Sequence, residues 1–90
     1  MSYFLVKHKY EKSQGGAHLI KAKNKADAIR IAMKYGITMP WGRTDIIHSY
    51  AHKLYTSDPN TKWLLKRRVQ GLGGSIWFEE NGELKKLTKL

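Results

Sequence analysis

The chain reads as one basic α+β domain over residues 1–90, with about four antiparallel strands in two hairpins and three helices, in the order ββαααββ. Three observations predict this. Period-two runs rich in aromatic and β-favouring residues stand at both ends, YFLVKHKY over 3–10 and SIWFEE with ELKKLTKL around Asn81 and Gly82. Between them lie three segments with helically spaced apolar residues, each opened by a capping residue. Ninety residues allow only one small core, because a chain of this length buries about 60–65% of the surface its unfolded form exposes. At 41% hydrophobic and 11% aromatic it is nevertheless too apolar to remain a disordered basic tail.

The first hairpin joins residues 3–10 to 17–23 through the loop 11–16. Setting Val6 opposite Ala22 and His8 opposite Ile20 gathers Phe4, Val6, His8, Ile20 and Ala22 on one face. Lys7, Lys9, Lys21 and Lys23 then share the other face, with Lys7 across from Lys21, a repulsive pair unless an anion bridges it. Asn24 is a good N-cap with Asp27 at the third helical position, and Ala28, Ile31, Ala32 and Tyr35 form the buried stripe of a helix over 25–35, widened by Ile29 and Met33. Gly36 ends it. The segment 37–43, with Pro40, Trp41 and Gly42, reads as an ordered connector.

Thr44 and Asp45 open a predicted second helix over 44–55, with Ile47, Tyr50, Ala51 and Leu54 on its inner stripe. Asp58 followed by Pro59 predicts a third helix over 59–70, closed by Gly71, with Leu65, Val69 and Leu72 facing inward. Asn81-Gly82 marks the turn of the last hairpin, which sets Ile76 opposite Leu87, and Trp77 and Phe78 opposite Lys86 and Lys85. Adjacent Trp77 and Phe78 point to opposite faces. The helices are expected on one face of an antiparallel sheet.

Charge is the strongest functional signal. The whole formal charge of +10 arises in the first 70 residues, where 14 Lys and Arg face 4 Asp and Glu, while residues 71–90 are balanced at three of each. Such self-repulsion in a small domain points to a polyanionic or acidic partner. Nucleic acid, DNA or RNA, is the leading partner class, gripped mainly at the phosphate backbone and with low sequence specificity. The candidate contacts are Lys7, Lys9, Lys21 and Lys23 of the first hairpin, Arg43 of the connector, and Lys62, Lys66, Arg67 and Arg68 of the third helix. Trp63, one turn before Arg67, is the candidate for base stacking, although a lone tryptophan in a small domain is more often core. Cations near a helix C-terminus also stabilise the helix itself. The alternative is a small inhibitor or accessory protein of phage or mobile-element type, such as an anti-restriction or anti-CRISPR protein. Its target would be an acidic or nucleic-acid-handling host protein, or a protein–nucleic-acid complex.

Other chemistry finds little support. A winged helix-turn-helix would put Glu79, Glu80 and Glu83 on the wing, where phosphates repel them, and only Lys62 among charged residues in the first turns of its reading helix. His48 and His52, four apart on the predicted second helix, reach one metal ion but supply only two ligands, and Ser49 stands where an HExxH motif carries glutamate. Gly71, Gly73 and Gly74 lead from helix into strand, the reverse of a phosphate-cradling loop. The chain is accordingly expected to be no enzyme and to carry no metal or cofactor. With no cysteine, no signal-peptide core and no 18-residue apolar run, a soluble cytoplasmic protein is expected.

Overall fold

A computed structural model describes residues 1–10, 14–37 and 46–90, and within them the chain forms five strands and two helices. In chain order these are β1 (Ser2–Tyr10), β2 (Gln14–Ala22), α1 (Lys25–Lys34), β3 (Ile46–Leu54), α2 (Pro59–Val69), β4 (Ile76–Glu80) and β5 (Glu83–Lys86). One sheet holds all five strands in the order β3-β1-β2-β4-β5. Strand β1 runs antiparallel to β2 and β3, and β4 antiparallel to β5, but β2 and β4 pair in parallel. The α+β class holds, while the expected order ββαααββ becomes ββαβαββ and the sheet is mixed.

The main correction is β3, which the sequence reading takes as a helix. Both periods fit this segment, since Tyr50 and Leu54 belong to a helical stripe and equally to the alternating set His48, Tyr50, His52, Leu54. Tertiary pairing decides: β1 has a second edge to satisfy, and β3 supplies the partner, with Val6 opposite Ala51 and Lys7 opposite Tyr50. The predicted cap at Thr44 and Asp45, the connector with Pro40 and Trp41, and Arg43 lie outside the described residues.

The helices also lie on opposite faces, not on one. Strands β2, β3 and β4 are mutually parallel, so α1 links β2 to β3 across β1, and α2 links β3 back to β4 across β1 and β2. These crossovers travel in opposite directions over the sheet. Two connections of one hand that travel in opposite directions must use opposite faces, and parallel crossovers keep one hand almost without exception.

Each face therefore has its own core. Under α1, Phe4, Val6, Ile20 and Ala22 meet Ala28, Ile31 and Ala32, with Ile37 and Ala51 at the rim. Under α2, Leu19 and Ile76 meet Leu65, with Tyr3, Leu5, Leu54, Leu64, Val69 and Leu87 around them. The face assignment of Phe4, Val6, His8, Ile20 and Ala22 holds, and all five are buried. Their register does not: Val6 faces His18, and Phe4 faces Ile20. The slip is even, so the faces survive, but Lys7 now opposes Ala17 and the repulsive Lys7–Lys21 pair is never made.

Local signals for the helices hold. Asn24 accepts from the Asp27 amide at 2.8 Å, and Asp27 accepts from the Lys23 amide at 3.2 Å, closing a reciprocal cap on α1. Asp58 caps α2 through the Asn60 amide at 3.0 Å. In the last hairpin Asn81 and Gly82 adopt φ of 53° and 76°, and Trp77 and Phe78 face Lys86 and Lys85 as expected. Leu72, expected to face inward, is 46% exposed, and Met33 is 49% exposed.

Two polar clusters tie the layers together. Buried His8 donates from Nε2 to the Ile37 carbonyl at 3.1 Å, which leaves Nδ1 to accept from the Ser49 hydroxyl of β3 at 2.8 Å. On the α1 face, Glu79 receives Arg30 at 2.7 Å, Lys34 at 3.2 Å and the Tyr35 hydroxyl. Arg30, Tyr35 and Lys34 hold the Glu79 carboxyl down to about 2 from its ordinary 4.5, and the same contacts raise Lys34 and Tyr35. A carboxylate with a depressed folded value stabilises fully above its unfolded value and loses that contribution as pH falls through the folded one.

Ser49→Ala strands the buried Nδ1 of His8 and is expected to cost about 1–3 kcal/mol in urea unfolding at neutral pH; a neutral result would contradict the β1–β3 packing. Between pH 6 and pH 3 the urea midpoint of the native chain should fall further than that of Glu79→Gln. Equal falls would mean that the Arg30–Glu79–Lys34 cluster contributes nothing.

Candidate nucleic-acid interface

Alternation along β1 and β2 sends Lys7, Lys9 and Lys21 to the face opposite α1, because the even positions of β1 fill the α1 core. The α2 helix lies on that same face, over Leu19 and Ile76. The first hairpin's lysines and the basic helix are thus brought to one side of the molecule. Lys23 leaves the sheet at the turn into α1, where its amide is committed to Asp27.

Along α2, Thr61 and Leu65 point into the sheet, and everything else is arranged around them. Lys62 and Lys66 share one flank with Leu65 and border a half-open groove of about 290 Å³ whose other walls are Tyr3, Thr56 and Leu90. Trp63 and Arg67 form the outer ridge. Trp63 is 61% exposed, not core, and the Arg67 guanidinium lies 4.9 Å from the centre of its ring in a cation–π contact. Lys21 makes a similar contact at 5.6 Å with Tyr3, its cross-strand partner and a wall of the groove.

Arg68 is different. It sits on the far flank, half-buried, and its guanidinium donates to the Gly73 carbonyl. A Cβ on Gly74, whose φ is 136°, would come within 2.4 Å of that guanidinium. Gly74 therefore leaves room for Arg68, which is fixed to the turn and less available to a ligand than its neighbours, while Gly71 and Gly73 supply the positive φ of 79° and 80° that the turn needs.

Alternation from Ile76 puts Glu80 and Glu83 on the α2 side as well, but at the β4–β5 end of the sheet, opposite to β3. Glu79 points to the α1 face, Asp27 caps α1, Glu80 pairs with Lys85 at 3.0 Å and Asp58 caps α2. No carboxylate among the described residues forms an ion pair with Lys7, Lys9, Lys21, Lys62, Lys66 or Arg67. Of the three glutamates anticipated to repel phosphates, only Glu79 turns to the α1 face, where Arg30 and Lys34 take it, while Glu80 and Glu83 stay on the α2 side.

The strand assignment of β3 removes the helix-turn-helix reading. It also separates His48 and His52, whose Cα atoms are on the order of 13 Å apart in an extended chain, too far to share an ion through one face of a helix. Among the described residues no three His, Cys, Asp or Glu side chains converge. His18 has an Nε2 that is buried with no hydrogen-bond partner among the described residues, and burial together with His8 and Arg68 lowers its pKa. No helix among the described residues is long and apolar enough to cross a membrane.

Sequence reasoning missed the row His48, Tyr50, His52, which shares the face of Lys7 and Lys9. Its alternation with Ser49, Ala51 and Lys53 was the signal. Comparison with family models, curated proteins and solved structures finds no match to this chain.

Arg68→Ala should cost about 1 kcal/mol, a fall of about 4–8 °C in Tm for a domain of this size, through loss of a charged donor to Gly73. Arg67→Ala, which loses an exposed cation–π contact, should shift Tm less. The reverse order in a thermal scan would contradict the roles given to the two arginines.

Proposed function

We propose that this chain is a small non-enzymatic nucleic-acid-binding protein that grips phosphates through the α2 side of its sheet. The carrying observation is the sorting of charge. Lys7, Lys9 and Lys21 of the sheet and Lys62, Lys66 and Arg67 of α2 come to one side, while the C-terminal hairpin's Glu79 turns to the other. Cations that pair with no carboxylate among the described residues, on a surface broken by a ridge and a groove, suit a flexible polyanion whose counterions are released on contact. Backbone recognition of this kind fixes position without reading sequence.

The second reading, an inhibitor or accessory protein docking on an acidic host protein, draws on the groove bordered by Tyr3, Leu65, Lys62 and Lys66. An apolar floor with two ammonium groups beside it suits an acidic segment carrying an apolar side chain. The charge map extends well past this groove, which favours the longer polyanion.

Fluorescence anisotropy with labelled DNA and RNA from about 50 to 200 mM salt separates the two, because each phosphate contact contributes about 0.7–0.9 to the slope of log K against log salt. Micromolar or tighter binding with a steep slope is expected. Lys66→Glu with Arg67→Glu should weaken it by at least about tenfold and flatten the slope by roughly two contacts. Absence of binding at low salt would hand the lead to the protein partner, and an unchanged slope would remove α2 from the interface.

A further inference from the structure

At the end of the sheet away from Tyr3 and Leu54, α2 no longer covers its face, and β3 lays three rings in a row. His48 and Tyr50 have ring centres 5.6 Å apart with planes tilted by 25°, and Tyr50 and His52 meet edge to face at 5.5 Å. Across the ladder on β1, Lys9 stands opposite His48 and Lys7 opposite Tyr50. The next position along the same row is Ala17, small and exposed, so β2 raises nothing large opposite Lys7. His48 and His52 are exposed and Tyr50 half-buried.

A face meant only for water needs no such row. Two exposed imidazoles on either side of a half-buried phenol offer a row of π surface that gains from a flat partner, and two ammonium groups alongside attract a negative one. A partner that is both flat and anionic at a repeat of a few ångströms is a nucleic-acid strand with its bases unpaired. Duplexes hide their base faces in their own stack and offer only phosphates and groove edges. Strand β3 is also the edge of the sheet, so a chain can run along it without crossing another strand.

We infer that His48, Tyr50 and His52 form a stacking platform for the bases of single-stranded nucleic acid, with Lys7 and Lys9 taking the flanking phosphates. This rests on the nucleic-acid reading above and narrows it to unpaired strands. Tyr50, at the centre of the row, is the main stacking residue.

The test compares anisotropy for oligo-dT and oligo-U of about 12 nucleotides with a duplex of equal length, for the native chain and for Tyr50→Phe and Tyr50→Leu. Leucine keeps an apolar, strand-compatible side chain, and circular dichroism verifies that each variant folds. The native chain should favour single strands by at least about tenfold. Tyr50→Leu should lose about tenfold on single strands and leave duplex binding and the salt slope unchanged, while Tyr50→Phe behaves as the native chain. A 2-aminopurine base in the oligonucleotide should be quenched by the native chain and not by Tyr50→Leu. Equal affinity for single strands and duplex, or indifference to Tyr50→Leu, overturns the platform and leaves the phosphate grip standing. Failure to bind either form at low salt overturns both. The dT and U arms show which sugar is preferred.

Discussion

The pairing of β3 with β1, Val6 opposite Ala51 and Lys7 opposite Tyr50, is the constraint on which the rest of the structure depends. It encloses β1 between two neighbours, so that one strand serves both cores: even residues fill the α1 side, and Tyr3 and Leu5 fill the α2 side. Because side chains alternate with a period of two, a one-residue slip would carry Lys7 and Lys9 into the α1 core and expel Phe4, Val6 and His8. The hydrogen bond between Ser49 and buried His8 adds a polar check on that register, since only one alignment satisfies the imidazole. Once β3 is placed, the chain must cross back over the sheet to reach β4, and this puts α2 on the face where the lysines already stand.

Charge segregation follows from the same geometry. The α1 face gathers carboxylates with partners, Asp27 with Arg30 and Glu79 with Arg30 and Lys34, and is close to neutral locally. The α2 face carries Lys7, Lys9, Lys21 and the α2 cations toward β3 and β1, with Glu80 and Glu83 at its β4–β5 end. Helix α2 itself is polar over most of its circumference and is held by Asp58, Pro59 and the burial of Leu65, with Lys66, Arg67 and Arg68 complementing its C-terminal dipole. A helix so lightly invested in the core presents most of its surface outward. Cations there serve the helix and, in the proposed function, a polyanionic partner as well, and the exposed Trp63 lies against Arg67 without being buried.

Much of this was legible in the residues. Caps at Asn24 and Asp58, the stops at Gly36 and Gly71, and the Asn81-Gly82 turn are local chemistry, and the structure reproduces each within a residue or so. The inward face of the first hairpin was legible too, because alternation survives an even change of register. Strand β3 was not, because Tyr50 and Leu54 satisfy both the helical and the strand period, and only the unpaired edge of a distant strand selects between them. The parallel β2–β4 contact and the opposite placement of the helices are consequences of that choice and carry no local signal. Of the candidate site, the lysines at odd positions of β1 and the α2 cations were readable. The fixed role of Arg68 was not, since it depends on the path of Gly73 and Gly74, and the ring row was hidden behind the helical reading.

In the proposed function one side of the sheet, α2 with the open ends of β1 and β3, meets nucleic acid and the α1 side does not. Titrating the isotopically labelled protein with a short single-stranded oligonucleotide and following amide shifts by NMR tests it most directly. Shifts concentrated at Lys7, Lys9, residues 48–52 and α2 are expected, with the amides of α1 and Glu79 unmoved. Shifts centred on α1 and the Glu79 cluster would contradict it.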